Sequence, residues 1–356
     1  MLYGVKIIIT TLLFVGLVGC AEHQEKTIVP TQTNTSLGEL IESSEIIPLE
    51  TSDKNLIATV TKLIVEDEKL IVMDGGTKSV LVFSDGGKWI GTIHMCGRAS
   101  NEYIELTDVD VCDGNVYILS RVDKKIQVYD FAATYLRTIP LDDFYCNLHV
   151  ANPDQIILYS ERANTTGYNI VQIDSRGDII SRTMPFRHQD GYIFEGSPFN
   201  ESEDGDLLLT FPYDETIYAM STNGDCGPLV SLWYDTEFHI KNISEQSYDE
   251  IVSKYKYKNI LKRIQYVSEV HDCLMLVADI FFDELGFRQC FVKITKNGDV
   301  KVYRLGDVKD NDYPYFYNIV GFDGAYVYTT ISAGMYGVSD MNNNPIIIRY
   351  KICNKQ

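Results

Sequence analysis

The chain has 356 residues, 45% of them hydrophobic and 12% aromatic, and carries 50 Asp and Glu against 31 Lys and Arg, a formal net charge of −19 at pH 7. A negative field of that size argues against nucleic acid as a partner and against docking on anionic lipid headgroups through the protein surface, because both need a basic face. It suits solubility in an exposed compartment.

The first 19 residues hold a single charge, Lys6, which interrupts an apolar run from Val5 through Ile7-Ile8-Ile9 to Gly19 that otherwise contains only two threonines. About 13 apolar residues are too few to cross a bilayer core of ~30 Å as a helix, which needs about 20, so residues 1–19 are read as a secretory leader. The run ends in Leu17-Val18-Gly19-Cys20, which resembles a lipobox, with small residues before the cut and a cysteine whose thiol receives a diacylglycerol. On this reading the mature chain starts at the lipidated Cys20, and its acyl chains exceed the two signals that stable anchoring needs, so the bilayer is its first expected partner. Loss of Lys6 makes the mature chain one charge more acidic. Residues 20–43 are polar, contain Pro30 and show no period. They are read as a flexible tether with a reach of about 25 Å.

From residue 44 onward a unit recurs: apolar strand, tight acidic or Gly turn, second strand, polar break, third strand, Asp/Asn/Gly turn, fourth strand. Its first two copies are residues 58–93 and 107–139. The residue that ends each third strand is a usable marker: Phe83, Tyr129, Ile173, Met220, Ile294 and Tyr350. Early spacings of 46, 44 and 47 residues match the roughly 40 to 50 residues of one four-stranded propeller blade, and six markers predict six blades. The long step from Met220 to Ile294 requires an insertion. Residues 244–262 supply it as a predicted helix, with Ser244 as N-cap and Ile251, Tyr255 and Ile260-Leu261 near helical spacing. Residues 45–50 form a strand that precedes the first full unit, and placing it outermost in the last blade closes the ring and removes an open edge. Pro48 is tolerated in an outermost strand. The fold class is therefore all-β, a six-bladed propeller over 44–356.

The runs IIPLET, KLIVEDEKLIVMD, VFSDGGKWIGTI, DVDVCDGNVYIL and IQVYD resemble the six-bladed, NHL-like β-propeller lipoproteins of Gram-negative bacteria. That family carries a Gly-Pro-Gly-Glu-Tyr-like stretch between its first two blades. Here the stretch reads Gly97-Arg98-Ala99-Ser100-Asn101-Glu102-Tyr103, which keeps Glu-Tyr and lacks the Pro-Gly step. The resemblance implies fold and export to the cell envelope, the outer membrane foremost, and implies no reaction.

Seven of the eight cysteines remain after Cys20, an odd number without a C-x-x-C pair, and Cys112, Cys273 and Cys290 sit in strand-like apolar runs. They read as buried thiols with at most one disulfide. No familiar catalytic, nucleotide or zinc motif is present, the six histidines are scattered, and nothing in the sequence asks for a cofactor or a metal. Chemical individuality in a propeller comes from what each blade presents at its loops. Candidate ligand-binding residues are Arg98, Asn101 and Glu102 in the connection into blade two, and Arg121, Glu161, Arg162, Tyr213, Asp214 and Asp279 at the ends of second strands. Arginines beside aromatics suit carboxylate or sugar recognition. A binding or scaffold module for a glycan, a peptide or an envelope protein is the expected role. The alternative is a channel-site hydrolase or lyase, metal-dependent in the lactonase manner, in which Asp74, Glu161, Asp214 and Asp279 would offer oxygens to Ca²⁺.

Overall fold

The computed structural model describes residues 24–27, 37–160, 164–185, 197–202, 206–211, 214–221, 224–233, 253, 261–270, 273–282, 286–295, 299–305, 313–335, 337 and 343–353. Strands β1 (Gln24–Thr27) and β2 (Ile41–Pro48) precede the repeats. Blade one is β3 (Val60–Glu66), β4 (Lys69–Asp74), β5 (Ser79–Ser84) and β6 (Trp89–Ile93); blade two is β7 (Asp108–Cys112), β8 (Asn115–Ser120), β9 (Lys125–Asp130) and β10 (Tyr135–Pro140). Blade three is β11 (Asn147–Asn152), β12 (Gln155–Tyr159), β13 (Tyr168–Ile173) and β14 (Ile179–Pro185); blade four is β15 (Phe199–Glu201), β16 (Leu207–Leu209), β17 (Thr216–Met220) and β18 (Cys226–Trp233). Blade five is β19 (Leu261–Val270), β20 (Cys273–Phe282), β21 (Gly286–Thr295) and β22 (Val300–Arg304), and blade six adds β23 (Ile319–Phe322), β24 (Tyr326–Ile331) and β25 (Ile346–Ile352). Each blade is an antiparallel meander, and the first strands of successive blades neighbour one another around the axis.

All six marker residues fall in third strands and are buried. The core is correspondingly divided into six apolar clusters, one at each blade–blade interface. Leu119, Ile126 and Val128 of blade two meet Leu148, Ile156 and Val171 of blade three, for example. Tight hairpins between first and second strands use left-handed residues, Asp67 and Glu68 in blade one and Asp113 and Gly114 in blade two. Gly87 and Gly177, both at positive φ, end the outer turns of blades one and three, where a Cβ would run into the carbonyl oxygens of Pro48 and Pro140 in the preceding blade. Only glycine permits that approach.

The ring closes as expected, through an N-terminal strand outermost in blade six. That strand, β2, pairs antiparallel with β25 from Ile41↔Ile352 to Pro48↔Ile346. Arg349 of β25 binds Glu45 of β2 and Asp85 in the outer turn of blade one. Asn344, almost fully buried, staples the following connection: it accepts from the Ile57 amide at 2.8 Å and donates to the carbonyls of Glu50 and Asn55 at 2.9 and 2.8 Å.

Two sequence expectations change. The tether expected over 20–43 is partly built into the domain: β1 pairs parallel with β18 as a fifth strand of blade four. Further on, Leu37, Leu40 and Ile41 are buried between blades five and six, where hydrophobic burial outweighs the freedom of a polar linker. Of the helix expected over 244–262, Ser253 is the one described residue before 261 and is helical, the rest of 244–260 lies outside the described residues, and its last two residues, Leu261 and Lys262, open β19 instead.

Candidate functional site: the entry face and the central channel

The connections from each outermost strand to the next innermost strand, with the second-to-third-strand turns, form one face of the ring, here the entry face. The remaining hairpin turns form the opposite, turn face. On the innermost strands, side chains of one blade satisfy the exposed backbone edge of the next. Asp108 Oδ2 accepts from the Leu148 amide at 3.1 Å, Asp110 Oδ2 from the Val150 amide at 2.7 Å, and Asn200 Oδ1 from the Val267 amide at 3.0 Å. Lys62 Nζ donates to the Val109 carbonyl at 2.7 Å and to Asp108 Oδ1 at 2.9 Å.

These contacts form a charged chain across blades one to four. Lys62 meets Asp108, Asn147 donates to Asp108 at 3.1 Å, His149 Nδ1 lies 3.3 Å from Asp110, and His149 Nε2 lies 3.6 Å from Glu201. Burial pushes the Lys62 ammonium toward neutrality, but the charges of Asp108 and Asp110 outweigh it and hold the proton on. Burial likewise works against a charged His149, and the hydrogen bond and charge of Asp110, with Glu201 behind, raise its pKa above the ordinary value. Asp110 is penalised by burial yet held below the usual carboxylate range by His149, Lys62 and the Val150 amide. The oxygens of Asp108 and Asp110 are thus engaged by neighbouring blades, so this network ties the ring together at its axis.

The predicted site residues are distributed as follows. Arg98 is exposed in the 94–107 connection. Asn101 and Glu102 give their carbonyls to blade two: Tyr129 Oη donates to Asn101 O at 2.9 Å and Gln127 Nε2 to Glu102 O at 2.8 Å. The Glu102 carboxylate accepts from the Ala99 amide at 2.9 Å, and Tyr103 Oη reaches the Lys78 carbonyl at 2.7 Å, so the Glu-Tyr motif shapes its own loop and locks it to blade one. Arg121 lies at the entry face beside Glu105 (3.5 Å) and the Cys146 thiol (4.0 Å), and the second, buried oxygen of Glu105 receives no donor. Asp214 accepts from Tyr218 Oη at 3.0 Å and from the Thr216 amide at 2.9 Å. Asp279 is not at a strand end; it lies inside β20 opposite Arg263, with which it is ion-paired, because β20 continues to Phe282. Cys20, Glu161, Arg162 and Tyr213 lie outside the described residues.

Of the carboxylates weighed as a Ca²⁺ ring, Glu161 lies outside the described residues, and Asp74, Asp214 and Asp279 belong to no metal-holding group among those described. Asp74 is buried and committed to the amides of Ala58, Thr59 and Gly76 and to the Thr77 hydroxyl, which together overcome burial and lower its pKa. Among the described residues no group of three or more His, Cys, Asp or Glu side chains is arranged to hold a metal. The seven described cysteines are free thiols, with Cys273, Cys290 and Cys353 buried and Cys96 exposed. No helix among the described residues is long and apolar enough to cross a membrane.

What sequence reasoning missed is the axial set Lys62, Asp108, Asp110, His149 and Glu201. The available signal was Asp108-Val109-Asp110, two carboxylates at alternate positions of an otherwise apolar innermost strand.

Exposed large apolar residues are unevenly placed. Leu56, Val122, Phe144 and Met335 are 48%, 53%, 51% and 62% exposed, all in entry-face connections: Leu56 between blades six and one, Val122 within blade two, Phe144 between blades two and three, and Met335 within blade six. Ile46, Ile90, Leu136 and Ile180 are spread singly over outermost strands, and none of the described turn-face hairpins carries one. Lys124 Nζ stands 4.2 Å from the centre of the Phe144 ring.

Fold and entry face together define a closed six-bladed propeller with a mixed polar and apolar rim. A family model described as Domain of unknown function (DUF4934) matches residues 23–346, and the chain belongs to that family. No curated protein matches the sequence. Among solved structures, a protein of Bacteroides fragilis expected to be exported superposes with a TM-score of 0.74 at 16% identity, covering 93% of this chain and all of that one. A member of the duf4221 family from Bacteroides vulgatus superposes with a TM-score of 0.60 at 10% identity, covering 88% of this chain and 98% of that one. At such identities the likeness is one of fold.

Proposed function

We propose that this chain is a lipid-anchored propeller of the cell envelope that binds a polypeptide segment of a partner on its entry face. The observation that carries the reading is the concentration of exposed Leu56, Val122, Phe144 and Met335 on that face beside Arg98, Arg121 and Lys124. Apolar anchors interleaved with cations suit a peptide or protein surface that offers both side chains and carboxylates better than they suit a glycan. Export is supported by the leader, the lipobox-like Cys20 and the expected export of the Bacteroides fragilis fold relative.

The test is a peptide and glycan array probed with the mature domain. Phe144→Ala and Arg121→Ala are expected to weaken the best ligand at least about tenfold, or about 1.4 kcal/mol, with melting nearly unchanged because an exposed ion pair adds little. Affinity that survives both substitutions but is lost on changing Glu66, Asp67 and Glu68 would put the site on the turn face. Anchoring is tested separately by Cys20→Ser, which should release the protein from membranes.

A further inference from the structure

We infer that the N-terminal segment is a strap that sets the propeller's orientation on the bilayer, with the outer edge of blade four against the lipid surface and blade one farthest from it. The inference rests on lipidation of Cys20. Instead of leaving the domain at blade six alone, the chain is fixed at three successive blades. Strand β1 lies on β18 of blade four, Glu39 pairs with Lys301 on β22 of blade five at 2.8 Å, and β2 completes blade six. Between Cys20 and Gln24 there are four residue steps, which span at most ~14 Å fully extended. The acyl chains therefore hold blade four close to the headgroups rather than letting the whole domain swing on a long tether.

The direction follows from register. Gln24 pairs with Val230 and Thr27 with Trp233, parallel, and β18 runs from the outer turn before Cys226 toward the entry-face connection after Trp233. The strap thus approaches blade four from the turn-face side, which tilts the turn-face rim of that blade toward the membrane. Adhesion cannot supply this orientation, since Glu201, Asp206 and Asp225 make blade four's turn face acidic and phosphate headgroups repel it. The anchor's short reach does. One consequence is that Leu56, Phe144 and Arg121 face the aqueous side, open to a partner.

The chain's two tryptophans stand on opposite blades, Trp89 in β6 of blade one and Trp233 in β18 of blade four. Energy transfer from tryptophan to dansyl-headgroup lipid is measured in vesicles carrying the full lipidated protein as Trp89→Phe or Trp233→Phe. Trp233 is expected to transfer several-fold more than Trp89. Insertion of a flexible Gly-Ser segment of about 20 residues between Glu22 and His23, with a reach of about 25 Å, should bring the two signals together. Equal transfer from both tryptophans in vesicle-bound protein without the insertion overturns the strap. Failure of the protein to float with vesicles, or flotation of Cys20→Ser to the same extent, overturns the lipid anchor on which the strap depends.

Discussion

Asn344→Ala isolates the staple that joins the closing strand to blade one. The side chain is 3% exposed and makes three hydrogen bonds, to the Ile57 amide and to the Glu50 and Asn55 carbonyls. A net hydrogen bond is worth about 1 kcal/mol, and a buried amide left without a partner costs about 1 to 3 kcal/mol, so truncation should cost ~3 to 4 kcal/mol. Against a total stability of roughly 5 to 15 kcal/mol, that is a large share. With a urea m-value near 3 kcal/mol/M the midpoint should fall by about 1 M at unchanged m. Asn344→Asp is expected to be no milder, since it turns a donor to two carbonyls into a buried acceptor facing them. Asn152→Ala, on an exposed turn, is the control and should stay within about 0.5 kcal/mol of wild type. A midpoint for Asn344→Ala indistinguishable from the Asn152→Ala control would show that the connection holds without its staple.

Lys62→Met leaves the buried Asp108 without its cation and should cost ~3 to 5 kcal/mol, part of which returns in Lys62→Met/Asp108→Asn; additive losses in that double-mutant cycle would mean that the axial charges are not coupled. His149 in the folded state has its pKa raised, and Glu215 is pushed up to about 8 by burial and then by the charge of Asp214. Both bind protons more tightly when folded, so their stabilisation is complete below the unfolded pKa values and is lost as pH rises through the folded ones. The urea midpoint should therefore fall between about pH 5 and about pH 8, less steeply in Glu215→Gln, and a flat wild-type profile contradicts the assignment. Deleting residues 41–48 should abolish the cooperative melt, whereas replacing residues 24–27 by Gly and Ser should shift it little; equal effects would refute closure by β2.

The architecture was legible because each blade repeats the same alternation of buried and half-buried positions, and Phe83 or Tyr129 can be recognised by its place before an Asp/Gly turn. Closure was legible for the same reason, as Ile46-Ile47 formed a strand with no hairpin partner of its own. The site was less so. Position in the repeat placed Arg121 and Asp214 in entry-face connections, but the length of β20 could not be read locally, and Asp279 therefore moved inside a strand. Glu102 and Asp74 looked like ligand donors because a sequence does not show which backbone amides will fold back onto a carboxylate. Asp108 and Asp110 were hidden by the opposite effect, since their partners are the amides of a strand some 40 residues away.

Pairing of Ile41 with Ile352 also orders events in time. The strand that completes blade six is made before any of the blades' own strands, and its partner β25 after all of them. Until the final residues emerge, β2 has no place to go, and the ring stays open with blade one lacking its neighbour. Contacts of such sequence separation are slow to form. For the export proposed above, that delay keeps the ring open until β25 has crossed the membrane.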